Sequence, residues 1–141
     1  MRILTTIRTI SVLAAALWFG SAQAGDYDGS KPFLCALLDL NSCEAEAGCQ
    51  AETPDSVDIP RFLFVDAKQG AISGTRPGGK LLSTKIERTR TLGNLLVLEG
   101  AEAALSWTVT VEQISGRMSL SAAGDGVGFV VFGACIGAKP D

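Results

Sequence analysis

Cysteine and histidine content limits the chemistry open to this chain, which has four cysteines and no histidine. An even number of cysteines is typical of a disulfide framework, and the spacings of Cys35, Cys43, Cys49 and Cys135 form no C-x₂-C pair of a zinc site. Without an imidazole there is no Ser-His or Cys-His dyad and no histidine metal ligand. The sequence therefore predicts two disulfide bonds and neither a metal ion nor another cofactor.

Strand geometry narrows the disulfide pairing. If residues 33–43 form a strand, Cys35 and Cys43 stand about 26 Å apart at about 3.3 Å per residue, whereas bridged Cα atoms lie within roughly 7 Å. Two pairings then remain: Cys35 with Cys135 and Cys43 with Cys49, or the crossed alternative. We favour the first, because the short polar stretch between Cys43 and Cys49 can turn back on itself.

Other motifs do not predict catalysis. The segment 74–80 resembles a phosphate-binding P-loop, but Leu81 stands where that motif needs a hydroxyl to bind Mg²⁺. Because the residues after it alternate like a strand, we interpret the segment as a turn. Carboxylates are spread over the chain and none stands out as a glycosidase-like pair. The sequence thus favours a protein that is not an enzyme, and a hydrolase using carboxylates alone is the third-ranked hypothesis.

Two residues are weak ligand-site candidates. Trp107 lies in the middle of an alternating apolar stretch and could line a ligand cavity, although a core position is the more common role of such a residue. Asp125 lies between two glycines and could place a carboxylate at the mouth of a barrel, although Asp-Gly is also typical of hairpin turns.

The N-terminus has the pattern of a secretory signal peptide. Arg2 and Arg8 precede an apolar run over residues 10–19, and Ala22 and Ala24 form an A-x-A cleavage site in front of Gly25. The ten-residue apolar run is half the roughly 20 residues that a membrane-spanning helix needs. We therefore expect cleavage before Gly25, no membrane span in the cleaved protein, and a periplasmic or secreted location.

Removal of residues 1–24 would leave residues 25–141 as a single domain of ordinary size. The loss of Arg2 and Arg8 leaves 10 basic against 15 acidic residues, a net charge of −5. A mildly acidic surface argues against nucleic acid as a partner, because neutralising phosphates requires a basic patch.

Short apolar runs separated by glycine follow Pro60, and their two-residue alternation is typical of strands. Val65 and Val111 each precede a five-residue stretch that ends in a glycine, Gly70 or Gly116, which would supply the positive φ of a tight hairpin. The last run, residues 127–136, is apolar on both faces and is expected to be the most buried strand or the one that closes the sheet.

These patterns predict an all-β fold, an antiparallel up-and-down meander of about eight strands that begins at Phe33. A Cys35–Cys135 bond would staple the first strand to the last, so a small closed barrel is the favoured architecture and a β-sandwich the alternative. Residues 45–60 are expected to form a loop over one end.

The segment from Tyr27 to Cys35 and the stretches 116–119, 124–126 and 129–135 carry a resemblance to a group of small exported proteobacterial proteins that have no assigned activity. The resemblance implies an envelope or periplasmic protein that keeps its cysteines.

The function predicted from the sequence is that of a non-catalytic binding module in the cell envelope, which would hold a small apolar ligand in the barrel or a protein partner at its rim. The alternative is a structural or inhibitory module with a filled core. The state of the interior distinguishes the two hypotheses.

Overall fold

A computed structural model describes residues 26–138 of the chain. Residues 1–25 and 139–141, and with them the predicted signal peptide and its cleavage site at Ala22, Ala24 and Gly25, lie outside the described residues. Within residues 26–138 we find no helix with the length and apolar character needed to cross a membrane.

All regular elements of the described part are strands, and several of them, such as β3 and β8, alternate more buried and more exposed side chains as the apolar pattern predicts. They are β1 (Phe33–Glu44), β2 (Gly48–Glu52), β3 (Phe62–Asp66), β4 (Ala71–Thr75), β5 (Leu81–Lys85), β6 (Arg88–Leu92), β7 (Leu95–Glu102), β8 (Leu105–Glu112), β9 (Arg117–Ala123) and β10 (Val127–Gly137).

One antiparallel sheet contains all ten strands and curls into a half-barrel. Nine strands follow the order β5-β4-β3-β1-β10-β9-β8-β7-β6, and β2 pairs with β1 beside this path. The prediction of an all-β antiparallel meander is confirmed, and the β-sandwich alternative is wrong because there is a single sheet. Strand β1 changes register between Leu37 and Asp39, where a bulge leaves Leu38 on the surface.

The predicted closed barrel of about eight strands needs correction. β1 and β10 do pair along their whole length, but the sheet is open between β5 and β6, which follow each other in the chain. At this bend the N–H of Ile86 donates to the carbonyl of Gly70 and the N–H of Glu87 donates to that of Glu99, each over 2.8 Å. The backbone thus changes partners here, and no ladder joins β5 to β6 or β7 among the described residues. The structure has ten strands where the sequence predicts about eight. One extra strand arises because the expected strand 81–92 is divided into β5 and β6, and the other is β2, which the sequence does not predict.

Strand β10 is buried on one face only, so it is not the most buried strand, the first of the two predictions for it; it pairs with β1 and thus joins the last strand to the first. Val131 and Cys135 point into the core, whereas Val130, Phe132 and Ile136 lie on the outer face with 40, 51 and 64% of their surface exposed. The paired strands β1 and β9 cover its edges, but no described element covers its outer side.

We refer to the end of the half-barrel with the β4–β5, β7–β8 and β9–β10 hairpins as the upper end, and to the opposite end as the lower end. Two lower hairpins turn at Gly70 and Gly116, which have φ values of 68° and 71° as predicted. Gly116 also lies against the Tyr27 ring, so that a Cβ there would come within 2.8 Å of it.

Both disulfide bonds join residues that face each other across a strand pair. Cys35 and Cys135 are bonded between β1 and β10, and Cys43 and Cys49 between β1 and β2. This is the pairing that the sequence favours. The second bond holds residues 48–52 as a strand, within the region 45–60 for which the sequence predicts only a loop. Two disulfides indicate an oxidising, extracytoplasmic compartment.

Candidate ligand cavity

The upper half of the half-barrel contains an apolar cavity of about 260 Å³ that is partly open to solvent. Its walls are the inward-facing side chains of strands β1, β3 to β5 and β7 to β10, and its cover is the loop between β2 and β3. The apolar lining consists of Leu37, Val57, Ile59, Pro60, Leu63, Ile72, Leu82, Ala103, Leu105, Trp107, Val109, Leu120, Ala122, Phe129 and Val131.

Trp107 is the largest side chain in the wall and is 5% exposed. Its indole lies over Gly100, the residue directly opposite on β7, where a Cβ would come within 2.7 Å of the ring. A side chain at position 100 would occupy the space taken by the indole and by the backbone of β5. The glycine therefore allows both the Trp107 ring and β5 to lie close to β7.

One hydroxyl is the only polar group deep in the wall. Trp107 Nε1 donates to Thr84 Oγ1 over 3.3 Å, and Thr84 Oγ1 donates to the carbonyl of Ala101 over 3.4 Å. Within residues 26–138 no buried side-chain nitrogen or oxygen lacks a hydrogen-bond partner. The interior therefore presents neither a charge nor a free polar group to a ligand.

Charged side chains are confined to the mouth of the cavity, where Asp58, Arg76 and Glu102 complete the lining. Arg76 Nη1 donates to Asp58 Oδ2 over 3.1 Å and ties the covering loop to the β4–β5 hairpin. Asp58 has a φ of 54°, in the left-handed region that aspartate adopts more readily than most residues. An ion-paired residue of the loop thus lies at the mouth of the cavity.

The covering loop, residues 53–61, is held by its own hydrogen bonds. The N–H of Ser56 donates to the carbonyl of Thr53 and that of Ile59 donates to the carbonyl of Pro54, over 3.1 and 3.0 Å. At the outer end of the loop, the hydrogen bond from the Arg61 guanidinium holds the pKa of the Asp55 carboxyl below its ordinary value. This pair is exposed to solvent and contributes little to stability.

Large side chains fill the lower half. Phe33, Val65, Leu96 and Val111 are at most 1% exposed and belong to the same buried cluster as Cys35 and Cys135. The Tyr27 ring meets Phe33 edge to face with 5.8 Å between centroids and closes this end.

The structure separates the two ligand-site candidates of the sequence. Trp107 lies in the cavity wall, whereas Asp125 is exposed in the β9–β10 hairpin, outside the lining. Sequence reasoning missed Asp58, Arg76 and Glu102, because they belong to three separate segments. Of these three residues, only Glu102 could have been identified from the sequence. It follows Leu96 and Leu98 in the two-residue alternation of β7, which places its side chain on the inner face of the sheet.

Three carboxyl groups of the described part have pKa values shifted from the ordinary range. The carboxyl pKa values that depart from the ordinary range are all lowered: that of Asp28 by hydrogen bonds from Ser30, that of Asp55 by Arg61, and that of Glu112 by hydrogen bonds from Ser115. No group of three or more cysteine or acidic residues that could hold a metal ion occurs in the described part of the chain.

No family model, no curated protein and no solved structure matches this chain. Function is therefore argued from the cavity itself.

Proposed function

We propose that this protein is a non-catalytic binding protein of the cell envelope that holds a small, uncharged apolar molecule in the upper half of its sheet. The observation that carries the proposal is the apolar cavity of about 260 Å³ beside Trp107. Pockets that bind small molecules are typically concave, mostly apolar and equipped with a few polar groups.

Size and polarity define the ligand class. An apolar protein cavity of roughly 150 Å³ accommodates benzene, which has six non-hydrogen atoms, so this one suits a molecule of roughly ten non-hydrogen atoms. Because Thr84 and Trp107 already satisfy each other, a charged or strongly polar ligand would lose its hydration without gaining a partner. A filled core, which the alternative hypothesis of a structural or inhibitory module requires, is found in the lower half only.

The two disulfides and the N-terminal pattern support the proposed location. The bonds need an oxidising compartment, and the arginines, apolar run and Ala22/Ala24 site are those of a signal peptide for export to the periplasm or medium.

Trp107 provides a direct test of occupancy. The chain has two tryptophans, so a Trp18→Phe background leaves Trp107 as the only one, whether or not the N-terminus is removed. The full chain is expressed in an exporting host, purified with its disulfides intact and titrated with 1-bromohexane, a heavy-atom quencher. We expect saturable quenching of Trp107 at micromolar to low-millimolar concentration.

Adjacent alanines of β9 supply a matched pair of variants. Ala122 lines the cavity and faces Trp107 across the strand pair, whereas Ala123 is exposed. Ala122→Leu should abolish saturable quenching, and Ala123→Leu should leave it unchanged. Quenching that rises linearly with concentration, and equally in all three proteins, would show that no cavity site exists. Native mass spectrometry of the purified protein would then look for a molecule retained from the host.

A further inference from the structure

A free sheet edge lies at strand β6, none of whose residues lines the cavity. β6 is the last strand in the order of the sheet and pairs with β7 on one side, and no described element pairs with its other side. All five of its residues are exposed. An uncovered edge presents unpaired backbone groups, to which an extended segment of another chain can add as a further strand.

The ladder between β6 and β7 shows which backbone groups of β6 are free. The two strands are joined by a two-residue loop, so the flanking residues Leu92 and Leu95 form a hydrogen-bonded pair. Bonded and non-bonded pairs alternate along an antiparallel ladder. Thr89 and Thr91 occupy the non-bonded positions, so their N–H and C=O groups point away from β7. The edge therefore offers these groups to an added strand.

Two arginines make this edge basic. Arg88 and Arg90 lie on the same face of β6, with 72 and 56% of their side chains exposed. They share one carboxylate, that of Glu99 on β7, which lies 3.8 Å from Arg88 Nε and 3.0 Å from Arg90 Nη2. With the exposed Lys85 and Glu87 just before β6, three cationic groups face two carboxylates, a net charge of +1. The chain as a whole has a net charge of −3.

The arginines argue against a second copy of this chain as the added strand. In the antiparallel register that pairs all five residues of β6 with those of another copy, Arg90 would lie directly opposite its counterpart. Like charges in directly opposite positions are destabilising, whereas opposite charges there are stabilising. The same pattern therefore favours a segment that has acidic residues where β6 has arginines.

We propose that the free edge of β6 binds an extended acidic segment of a partner protein, which adds to the sheet as a further antiparallel strand. One carboxylate of the segment would lie opposite Arg90 and a second, two residues along the segment, opposite Arg88. Backbone hydrogen bonds to Thr89 and Thr91 would hold the segment, and the arginines would fix its register. The partner segment is thus expected to have two acidic residues separated by one uncharged residue.

NMR chemical-shift mapping on isotope-labelled protein tests the proposal. The probe is a short capped peptide of alternating glutamate and valine, and the control peptide has lysine in place of glutamate. The acidic peptide should bind saturably at concentrations up to about 1 mM and shift the amide signals of Thr89 and Thr91. The lysine peptide should cause no saturable shift. Added salt should weaken the acidic peptide, because the charged pairs are exposed.

Two variants separate charge from backbone pairing. Arg90→Glu should weaken binding of the acidic peptide roughly tenfold. Arg117→Glu is the matched control, because it makes the same change in net charge at an exposed arginine of β9, a strand that is paired on both sides, and should leave binding unchanged. Thr91→Pro removes an N–H that faces away from β7, so it should keep the β6–β7 ladder and abolish binding.

An acidic peptide that does not bind at the highest concentration would overturn the proposal, because the arginines would then only protect the edge from other strands. Unchanged binding by the Thr91→Pro variant would also overturn it, since attraction between charges would suffice without an added strand. An equal loss in Arg117→Glu and Arg90→Glu would have the same consequence. The dispersion of the amide signals shows whether each variant is folded, independently of any ligand in the cavity.

Discussion

The two halves of the half-barrel are built from the same strands but are packed differently. In the lower half, Phe33 and Leu96 belong to the same buried cluster as Cys35 and Cys135, and Tyr27 packs edge to face against Phe33. In the upper half, the sheet presents residues such as Ala122, Leu120 and Leu105 to an open space of about 260 Å³. Packing thus differs between the two ends of one sheet, and the proposed binding site lies at the open end.

The difference shows how a small domain can keep a cavity. A void costs stability because its lining lacks contacts on one side. Here the filled half carries the long disulfide and most of the fully buried side chains, and it offsets the cost of the hollow half. Predictions that treat the halves separately therefore test this division directly.

The largest expected effect concerns the disulfides. The Cys35–Cys135 bond closes a loop with a sequence separation of 100, and the Cys43–Cys49 bond closes one of 6. Loop entropy then assigns about 5 kcal/mol to the first bond and about 2 kcal/mol to the second. Urea unfolding of the double Cys→Ala variants should show this order. Equal losses would mean that the lower half does not depend on its long bond.

The next effect compares two leucines that point inward. Leu98 is fully buried and does not line the cavity, and its change to alanine should cost about 3–5 kcal/mol. Leu120 borders the cavity and is only partly buried, so Leu120→Ala should cost about 1–2 kcal/mol. Urea midpoints measure both. If the two variants lose the same stability, the cavity wall is as tightly packed in solution as the rest of the core.

The sequence predicts the strands better than it predicts the space between them. Alternation and glycine positions are local signals, and they were sufficient for the hairpins at Gly70 and Gly116. Strand β2 lacks this signal because nearly all of its side chains are exposed, and it is held by pairing with β1 and by the Cys43–Cys49 bond. The break between β5 and β6 depends on which neighbouring carbonyls accept from Ile86 and Glu87, which only the folded sheet decides.

The cavity shows the same limit. Met118, Leu120 and Ala122 alternate along β9 and give one uniform pattern of inward residues, yet the first lies in the packed lower half and the last borders the void. Whether inward side chains meet depends on the curvature of the sheet and on the covering loop. The place of Trp107 in an alternating strand is enough to make it a candidate for the cavity wall. Its hydrogen-bond partner Thr84 could not be predicted, because the two residues are 23 positions apart in the sequence.

Filling experiments should have opposite signs in the two halves. Ala122→Leu adds three carbons to the void and should stabilise the protein by about 1 kcal/mol. Val111→Leu adds one carbon to the packed lower half, where Val111 is fully buried, and should cost about 1 kcal/mol or more. Thermal or urea unfolding checks the two signs. A destabilised Ala122→Leu variant would contradict the presence of free space beside Trp107.

The smallest effect is a difference in how the two ends respond to acid. At the lower end, hydrogen bonds from the side chain and backbone of Ser115, together with those from Ile114 and Asn94, hold the pKa of Glu112 below its ordinary value of 4.5. Because the folded state binds this proton less tightly than the unfolded state, the contribution of Glu112 is complete well above pH 4.5. It is lost as the pH falls through the lowered pKa.

Glu112 braces two hairpins of the filled half, so Glu112→Gln should reduce the fall in the urea midpoint between pH 7 and pH 3. Asp55 also has a lowered pKa, but its partner Arg61 lies at the end of the covering loop. Asp55→Asn should therefore hardly change the urea midpoint, and should instead increase amide hydrogen exchange in residues 53–61. Equal midpoint changes in the two variants would show that the loop contributes to global stability as much as the lower hairpins do, and the division between the halves would not hold.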